Sequence, residues 1–448
     1  MTPRLRRAAI GLAIAAVALF ARCHWDHLTA PQVAHMTFDS EIYVQIAERP
    51  LGIDTAWASK PATVPVVYKI TGTDPETIVD VQAEVAFWAW AAAIAVLALA
   101  LQSWIARGLA IGFGVAFVLA APRVGWTGMV LSDSLNDSLM AMVVACGIGL
   151  ALVRGKHRRV LAGVTIAIAI LWIFARDTNA VSALVTIVAA AVLWRIRTWW
   201  TQARWAVVLA AVVGVAAVAE IPTGYLKPDP FPFQRDWNPQ LTARNTYLLI
   251  NNVLIRMMHD DREWLAERGA PVDELARFTD PEPVTDKLVQ AEAHADAAQT
   301  WIIEHGSGTY LRWLLRHPID RAIELVEARW MILSSRYSLM PFGWIEHDRD
   351  HPVVDIVRRV TTNRWLILLL VLASPLLLWR PRASPLRGIA LCLIASGLLG
   401  AAAAYYGDAA ELARHCYEPG QQIVLGLVIA LVTTVDAYVR RSRPSPAA

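Results

Sequence analysis

The stretch "MVLSDSLNDSLMAMVVACGIGLALVRGKHRR", residues 129–159, decides the fold class. Its apolar run over 129–153, coiled as a helix, is long enough to cross a hydrocarbon layer of about 30 Å. The run ends in "RGKHRR", which holds Arg154, Lys156, Arg158 and Arg159 and no acid, and a second apolar run starts at once. An apolar segment, a tight basic loop and another apolar segment form the pattern of a helical hairpin whose loop stays on the cytoplasmic side. Asp133 and Asp137 stand at the head of the first run, four residues apart on one helical face, with Asn136 nearby.

The rest of the chain repeats the pattern. Of its 448 residues, 56% are hydrophobic and only 18% charged, and the mean hydropathy is +0.42. These values belong to the membrane class rather than to soluble domains. Ten apolar blocks, at roughly 8–22, 84–105, 108–122, 129–153, 160–176, 178–194, 205–222, 363–379, 387–404 and 420–439, predict ten spans. The first follows Arg4, Arg6 and Arg7 without a clean small-residue cleavage site, so it reads as a retained signal anchor.

Loop charge gives the orientation. Segments 1–7, 106–107, 154–159, 195–204, 380–387 and 440–448 together carry 17 Lys and Arg and no Asp or Glu. Loop 24–83 carries eight acids against three bases. This places both termini in the cytoplasm of a multi-pass plasma-membrane protein. The expected organisation is a transmembrane core over 1–222 with outer loop 23–83, an external helical domain over 223–362, and spans eight to ten with a short tail over 363–448. The fold class is an all-α integral membrane protein.

Within the external segment, "LTARNTYLLINNVLIRMMHDDREWLAERG" has helical spacing and a C-capping Gly269. A further helix is expected from about Asp286 to His305. "GTYLRWLLRHPIDRAIELVEARWMIL" then reads as two helices broken near His317-Pro318. Cys146 and Cys392 fall within spans; Cys23 and Cys416 fall at the outer face, either bridged or as two free thiols.

Charged groups at or in a bilayer are costly, and here they gather at one end. Asp39 and Glu41 lie in "MTFDSEIY" (36–43), just after the first span. Asp133, Asp137, Arg176, Asp177, Glu220, Asp408, Glu411, Arg414 and His415 all fall at outward ends, whereas the inward ends show only basic anchors. Some have plain structural readings. Arg176 can simply pair with Asp133 or Asp177, Asp133 suits a helix N-terminus, and Arg123 beside Trp126 suits an interfacial anchor. Those readings leave unexplained why polar groups from distant spans collect on one side.

No phosphate-cradling glycine loop, dinucleotide fingerprint, HExxH or CxxC occurs, and nothing points to nucleic acid. Group transfer on the outer side must draw on a donor already in the membrane. A lipid-linked phosphosugar fits, with Arg and His on the phosphate and a carboxylate deprotonating an acceptor hydroxyl.

"FDSEIY", "KPATVPVVYKI", "LSDSLNDSL", "YLRWLLRHP" and "RHCYEP" resemble the recurrent outer elements of the GT-C superfamily of polytopic glycosyltransferases, which use polyprenyl-phosphate sugars. The resemblance implies Asp39 as general base with Glu41 as neighbour or alternate, and Tyr43 lining a sugar. It implies Lys60, Arg414 and His415 on the lipid phosphate, with Arg123 and Arg176 as further candidates and Asp133 and Asp137 lining the substrate site. No cofactor is required and no ligand spacing demands a metal, although a divalent cation is compatible with the carboxylates. The composition suits a high-GC bacterium, where polyprenyl-phosphate mannose and decaprenyl-phosphate arabinose are natural donors, as in actinobacterial-type mannosyl- or arabinosyltransferases. The acceptor would be a cell-envelope glycan, lipid or protein. Larger relatives end in a β-sandwich carbohydrate-binding domain that is not seen here. The competing readings are a lipid or polysaccharide transporter, and a non-catalytic scaffold of the same architecture.

Overall fold

The computed structural model describes residues 34–52, 60–118, 127–196, 249–279, 296–333, 385–407 and 412–442, with isolated positions 11, 18, 21, 22, 214 and 215. Among the described residues there is no strand, only a single β-bridge between His35 and Met129. The elements used below are α1 (Phe38–Glu48), α2 (Thr63–Thr71), α3 (Pro75–Ala100), α4 (Trp104–Val118), α5 (Ser132–Leu152), α6 (Lys156–Ile173) and α7 (Asp177–Ile196). They continue with α8 (Ser307–Arg316), α9 (Pro318–Glu327), α10 (Arg329–Leu333), α11 (Pro385–Gly407) and α12 (Tyr417–Arg441). Helices α3, α5, α11 and α12 are long and apolar enough to cross a membrane. Shorter apolar helical stretches run over Trp104–Val115 and Thr178–Val188. The expected blocks at 8–22, 205–222 and 363–379 fall almost wholly outside the described residues.

Local chemistry sets the helix ends. Thr37 and Ser40 form a reciprocal cap on α1: the Ser40 N–H donates to Thr37 Oγ1 and the Thr37 N–H donates to Ser40 Oγ. Gly72, at φ 113°, closes α2 in a conformation that an L side chain strains to adopt. Asp74 then caps α3, accepting from the Thr77 N–H at 2.9 Å, with Pro75 in the first turn.

Two expectations are corrected at the opposite end of these helices. The break between spans two and three, expected at 106–107, lies at Leu101–Ser103. Arg107 is no loop anchor. It is buried in α4 and its guanidinium folds back to donate to the carbonyls of Ala98 (3.2 Å) and Leu101 (2.7 and 2.9 Å), groups that the end of α3 leaves open. Nor is that end purely basic. Buried Asp436 of α12 accepts from the N–H of Gln102 (2.9 Å) and of Ser103 (2.6 Å), capping α4 from another helix. A count of apolar residues cannot see either device.

The main core is shared by α3, α5, α11 and α12, with Trp90 and Ile148 fully buried. α11 and α12 approach so closely that a Cβ on Gly397 would lie 2.6 Å from the Pro419 carbonyl oxygen. A separate apolar core runs from Leu249 to Trp313. There the first helix contains a π-helical turn over Val253–Met257 and stops at Asp261. The next ends at Gly269 in a Schellman arrangement, with Ala270 N–H on Leu265 O and Gly269 N–H on Ala266 O. The helix expected to end at His305 instead passes through a π-helical turn over Ile302–Gly306 into α8. The break at His317-Pro318 is present.

This second unit sits on the end of α11. Asn252 Nδ2 donates to Gly407 O at 3.0 Å, Arg256 to Tyr405 O at 2.7 Å, and the Tyr310 hydroxyl to Tyr406 O at 2.6 Å. Cys416 is a free, buried thiol, so it takes part in no bridge.

Candidate functional site

Three anchors assemble the site at the end of the helices that carries α1. His35 bridges the segment before α5, with its N–H on Gly128 O and the Val130 N–H on His35 O. The same segment is held by the Tyr68 hydroxyl on Leu131 O (3.1 Å) and by Gln82 Nε2 on Met129 O (2.8 Å). This sets Asp133 in the first turn of α5. The start of α2 is pinned to the end of α6 through Thr63, whose N–H donates to Phe174 O (3.0 Å) and whose hydroxyl donates to Leu171 O (2.8 Å). Lys60 is thereby brought beside the turn that carries Arg176.

Four ion pairs result. Lys60 Nζ lies 2.7 Å from Asp39 Oδ1 and 5.7 Å from the Tyr43 ring centre. Arg176 Nη1 lies 2.6 Å from Asp133 Oδ1. Arg414, from the helical turn Leu412–His415, joins the two halves: its Nε and Nη2 are each 3.1 Å from Asp133 Oδ2, and Nη1 is 3.5 Å from Asp39 Oδ2. The two carboxylates differ in access. The Asp133 side chain is 0% exposed and that of Asp39 28%, so only Asp39 can meet a substrate directly. Among the described residues three cations face two carboxylates, one positive charge more than the acids supply.

Asp39 is ionised. Burial would raise its carboxyl, but Lys60, Arg414 and the Lys60 hydrogen bond outweigh that and hold it well below the usual carboxylate range. His415 stands among the same groups. Enclosure, then the charges of Arg176 and Arg414, push its imidazole down to about 3 against the opposing pull of Asp133 and Asp39. It is a neutral imidazole at neutral pH and does not add to the positive charge.

A second polar layer lies further into the helices. Asp137 accepts from Trp90 Nε1 at 3.1 Å; Asn179 Nδ2 donates to Asn136 Oδ1 at 2.5 Å; Ser396 Oγ donates to Gln422 Oε1 at 2.7 Å, and the Gln422 amide bonds Glu418. Ser134 Oγ, Thr178 Oγ1, Asn179 Oδ1, Ser182 Oγ and Glu418 Oε2 are buried without a hydrogen-bond partner among the described residues. Folded proteins rarely leave such groups unmatched, so the layer suits a hydroxyl-rich ligand or ordered water.

The structure thus brings together Asp39, Lys60, Asp133, Arg176, Arg414 and His415, with Tyr43 beneath Lys60. Asp137 belongs to the inner layer rather than to the ion cluster. Glu41 does not join: two residues from Asp39 on a helix, it points to another side and is exposed. Arg123 lies outside the described residues, as do Asp408 and Glu411. Sequence reading missed Glu418, Gln422, Ser396 and Ser182. The run "YEPGQQ" (417–422), with three polar side chains heading an apolar span, was the available signal for the first two. Among the described residues no three His, Cys, Asp or Glu side chains gather as a metal site. No family model matches the chain, and no curated protein matches it either.

Proposed function

We propose that the protein is a membrane glycosyltransferase that moves a sugar from a polyprenyl-phosphate donor to an acceptor hydroxyl at the outer face of the plasma membrane. Ten spans with both termini inside are part of this reading. The observation that carries it is Asp39, a solvent-reachable carboxylate, held against Lys60 and Arg414 in a cluster with one surplus positive charge. A polyprenyl-phosphate sugar is a phosphodiester with one negative charge, which matches that surplus. The unmatched hydroxyls and amides of the inner layer suit a sugar.

The acceptor hydroxyl gives its proton to Asp39 while its oxygen attacks the anomeric carbon. The bond from that carbon to the phosphate oxygen breaks with inversion, and the electron pair leaves on polyprenyl phosphate. Lys60 and Arg414 stabilise the charge that develops there, so no separate acid is needed. In the resting cluster Asp39 is a weak base because two cations neutralise it. Donor phosphate gives Lys60 and Arg414 a second anion, which weakens their hold on Asp39 and raises its basicity. Donor binding and base activation are then one event.

The test is transfer from a radiolabelled polyprenyl-phosphate sugar in membranes. Asp39→Asn should lower the rate by about 100-fold or more, in the range of general-base catalysis. Glu41→Gln, as control, should stay near wild type. Full transfer by a folded Asp39→Asn protein would remove Asp39 from the mechanism.

A further inference from the structure

Helices α8 and α9 carry apolar side chains that the described residues leave exposed. On α8, Thr309 and Trp313 turn into the core, while Leu311 is 57% and Leu315 68% exposed. On α9, Ile319, Ile323 and Val326 are 72%, 50% and 61% exposed. The spacings 311/315, 319/323 and 323/326 keep each set on one side of its helix. Asp320 and Glu327, also exposed, edge that side on α9, and Arg312 and Arg316 edge it on α8. Single exposed leucines need no explanation, but five exposed aliphatic side chains on two consecutive helices do.

The position of the stripe identifies what covers it. The Tyr406 hydroxyl, one residue before the end of α11, bonds the Arg321 carbonyl in the middle of α9. α10 continues directly from α9 and lies on the first turn of α12, where Gly420 leaves no room for a Cβ against the Ile332 carbonyl. α11 and α12 are both of membrane-crossing length and composition. The chain through α9 and α10 is thus fastened at the level where two such helices end. An amphipathic helix at that level, with an aliphatic face and long basic side chains at its edge, has the chemistry of an interfacial helix.

We propose that α8 and α9 lie in the lipid interface, with Leu311, Leu315, Ile319, Ile323 and Val326 among the upper acyl chains and Arg312 reaching the headgroup phosphates, while Arg316 stays with Asp261 and Trp264 of the second unit. Immersion of about 5–10 Å suffices for such a face. The bilayer then holds the second unit against the Tyr405–Gly407 end of α11. The proposal does not depend on glycosyl transfer, since any chemistry at that cluster would leave the stripe needing cover.

A small environment-sensitive fluorescent amino acid placed at Leu315, Ile319 or Asp320 of the full chain, in nanodiscs of phosphatidylcholine and phosphatidylglycerol, reads the contact. Replacing part of the lipid by chains spin-labelled near the headgroup should remove more than about half the emission at Leu315 and Ile319 and much less at Asp320. Aqueous iodide should show the reverse order. Iodide quenching at all three sites would mean an exposed face and overturn the proposal. Shielding from both quenchers would mean that protein, from this chain or a second copy, covers the stripe, and would overturn it equally.

Discussion

Two sets of buried charges, at opposite ends of the same helices, serve different purposes. At one end Arg107 and Asp436 turn mainly to backbone: the guanidinium to carbonyls at the close of α3, the carboxylate to amides just before α4, with Arg440 of its own helix 3.3 Å away. At the other end Asp39, Lys60, Asp133, Arg176 and Arg414 bind one another, with a positive charge to spare and a reachable carboxylate. Burial of charge alone therefore does not mark a functional site in this chain. The α1 end differs in that its charges come from four separate segments of the described chain and one of its carboxylates is reachable from solvent.

The comparison can be broken by substitution. Arg176→Met should cost on the order of 3 kcal/mol in thermal or denaturant unfolding of the detergent-solubilised chain, because buried Asp133 then keeps Arg414 as its one cation among the described residues. Asp436→Asn should cost less, about 1–3 kcal/mol, since an amide oxygen still accepts from the same N–H groups. It should leave the transfer rate of the folded fraction unchanged. A larger effect of Asp436→Asn on rate than on stability would erase the distinction between the two ends.

A smaller effect comes from pH. The His415 imidazole is pushed from an ordinary 6.5 down to about 3 in the folded chain, so between those values the unfolded chain binds the extra proton. Its contribution to stability is present above about 6.5 and is lost as pH falls toward 3. His415→Gln should flatten unfolding midpoints across that window relative to wild type. A steeper dependence in the variant would show that His415 is charged in the folded protein.

Part of this was legible in the sequence. The apolar blocks gave α5, α11 and α12 within a few residues, because length and composition suffice for such helices, whereas α3 begins at Pro75, nine residues before the expected 84, because its first turns carry Glu76, Asp80 and Gln82. The His317-Pro318 break follows from the proline ring. The grouping of Asp133, Arg176, Arg414 and His415 followed from placing helix ends on one side. What escaped depends on contacts between distant segments. Lys60 is expected on the phosphate, but its pairing with Asp39 appears only once Thr63 is seen tied to the end of α6. Glu418 and Gln422 look like the edge of a span until they are seen buried together. Arg107 reads as an anchor because its carbonyl partners carry no sequence signature.

The central claim, that the surplus positive charge of the α1 end is a site for a lipid-linked phosphate, has a direct measurement. Polyprenyl phosphate and the uncharged polyprenol of equal chain length can be titrated onto the purified chain in nanodiscs, with wild type, Lys60→Met and Asp436→Asn side by side. Saturable binding of the phosphate but not of the polyprenol is expected, weakened about tenfold by Lys60→Met, the loss of one charge-assisted contact, and unchanged by Asp436→Asn. Equal binding of the charged and uncharged lipids, or a Lys60→Met protein indistinguishable from wild type, would contradict it.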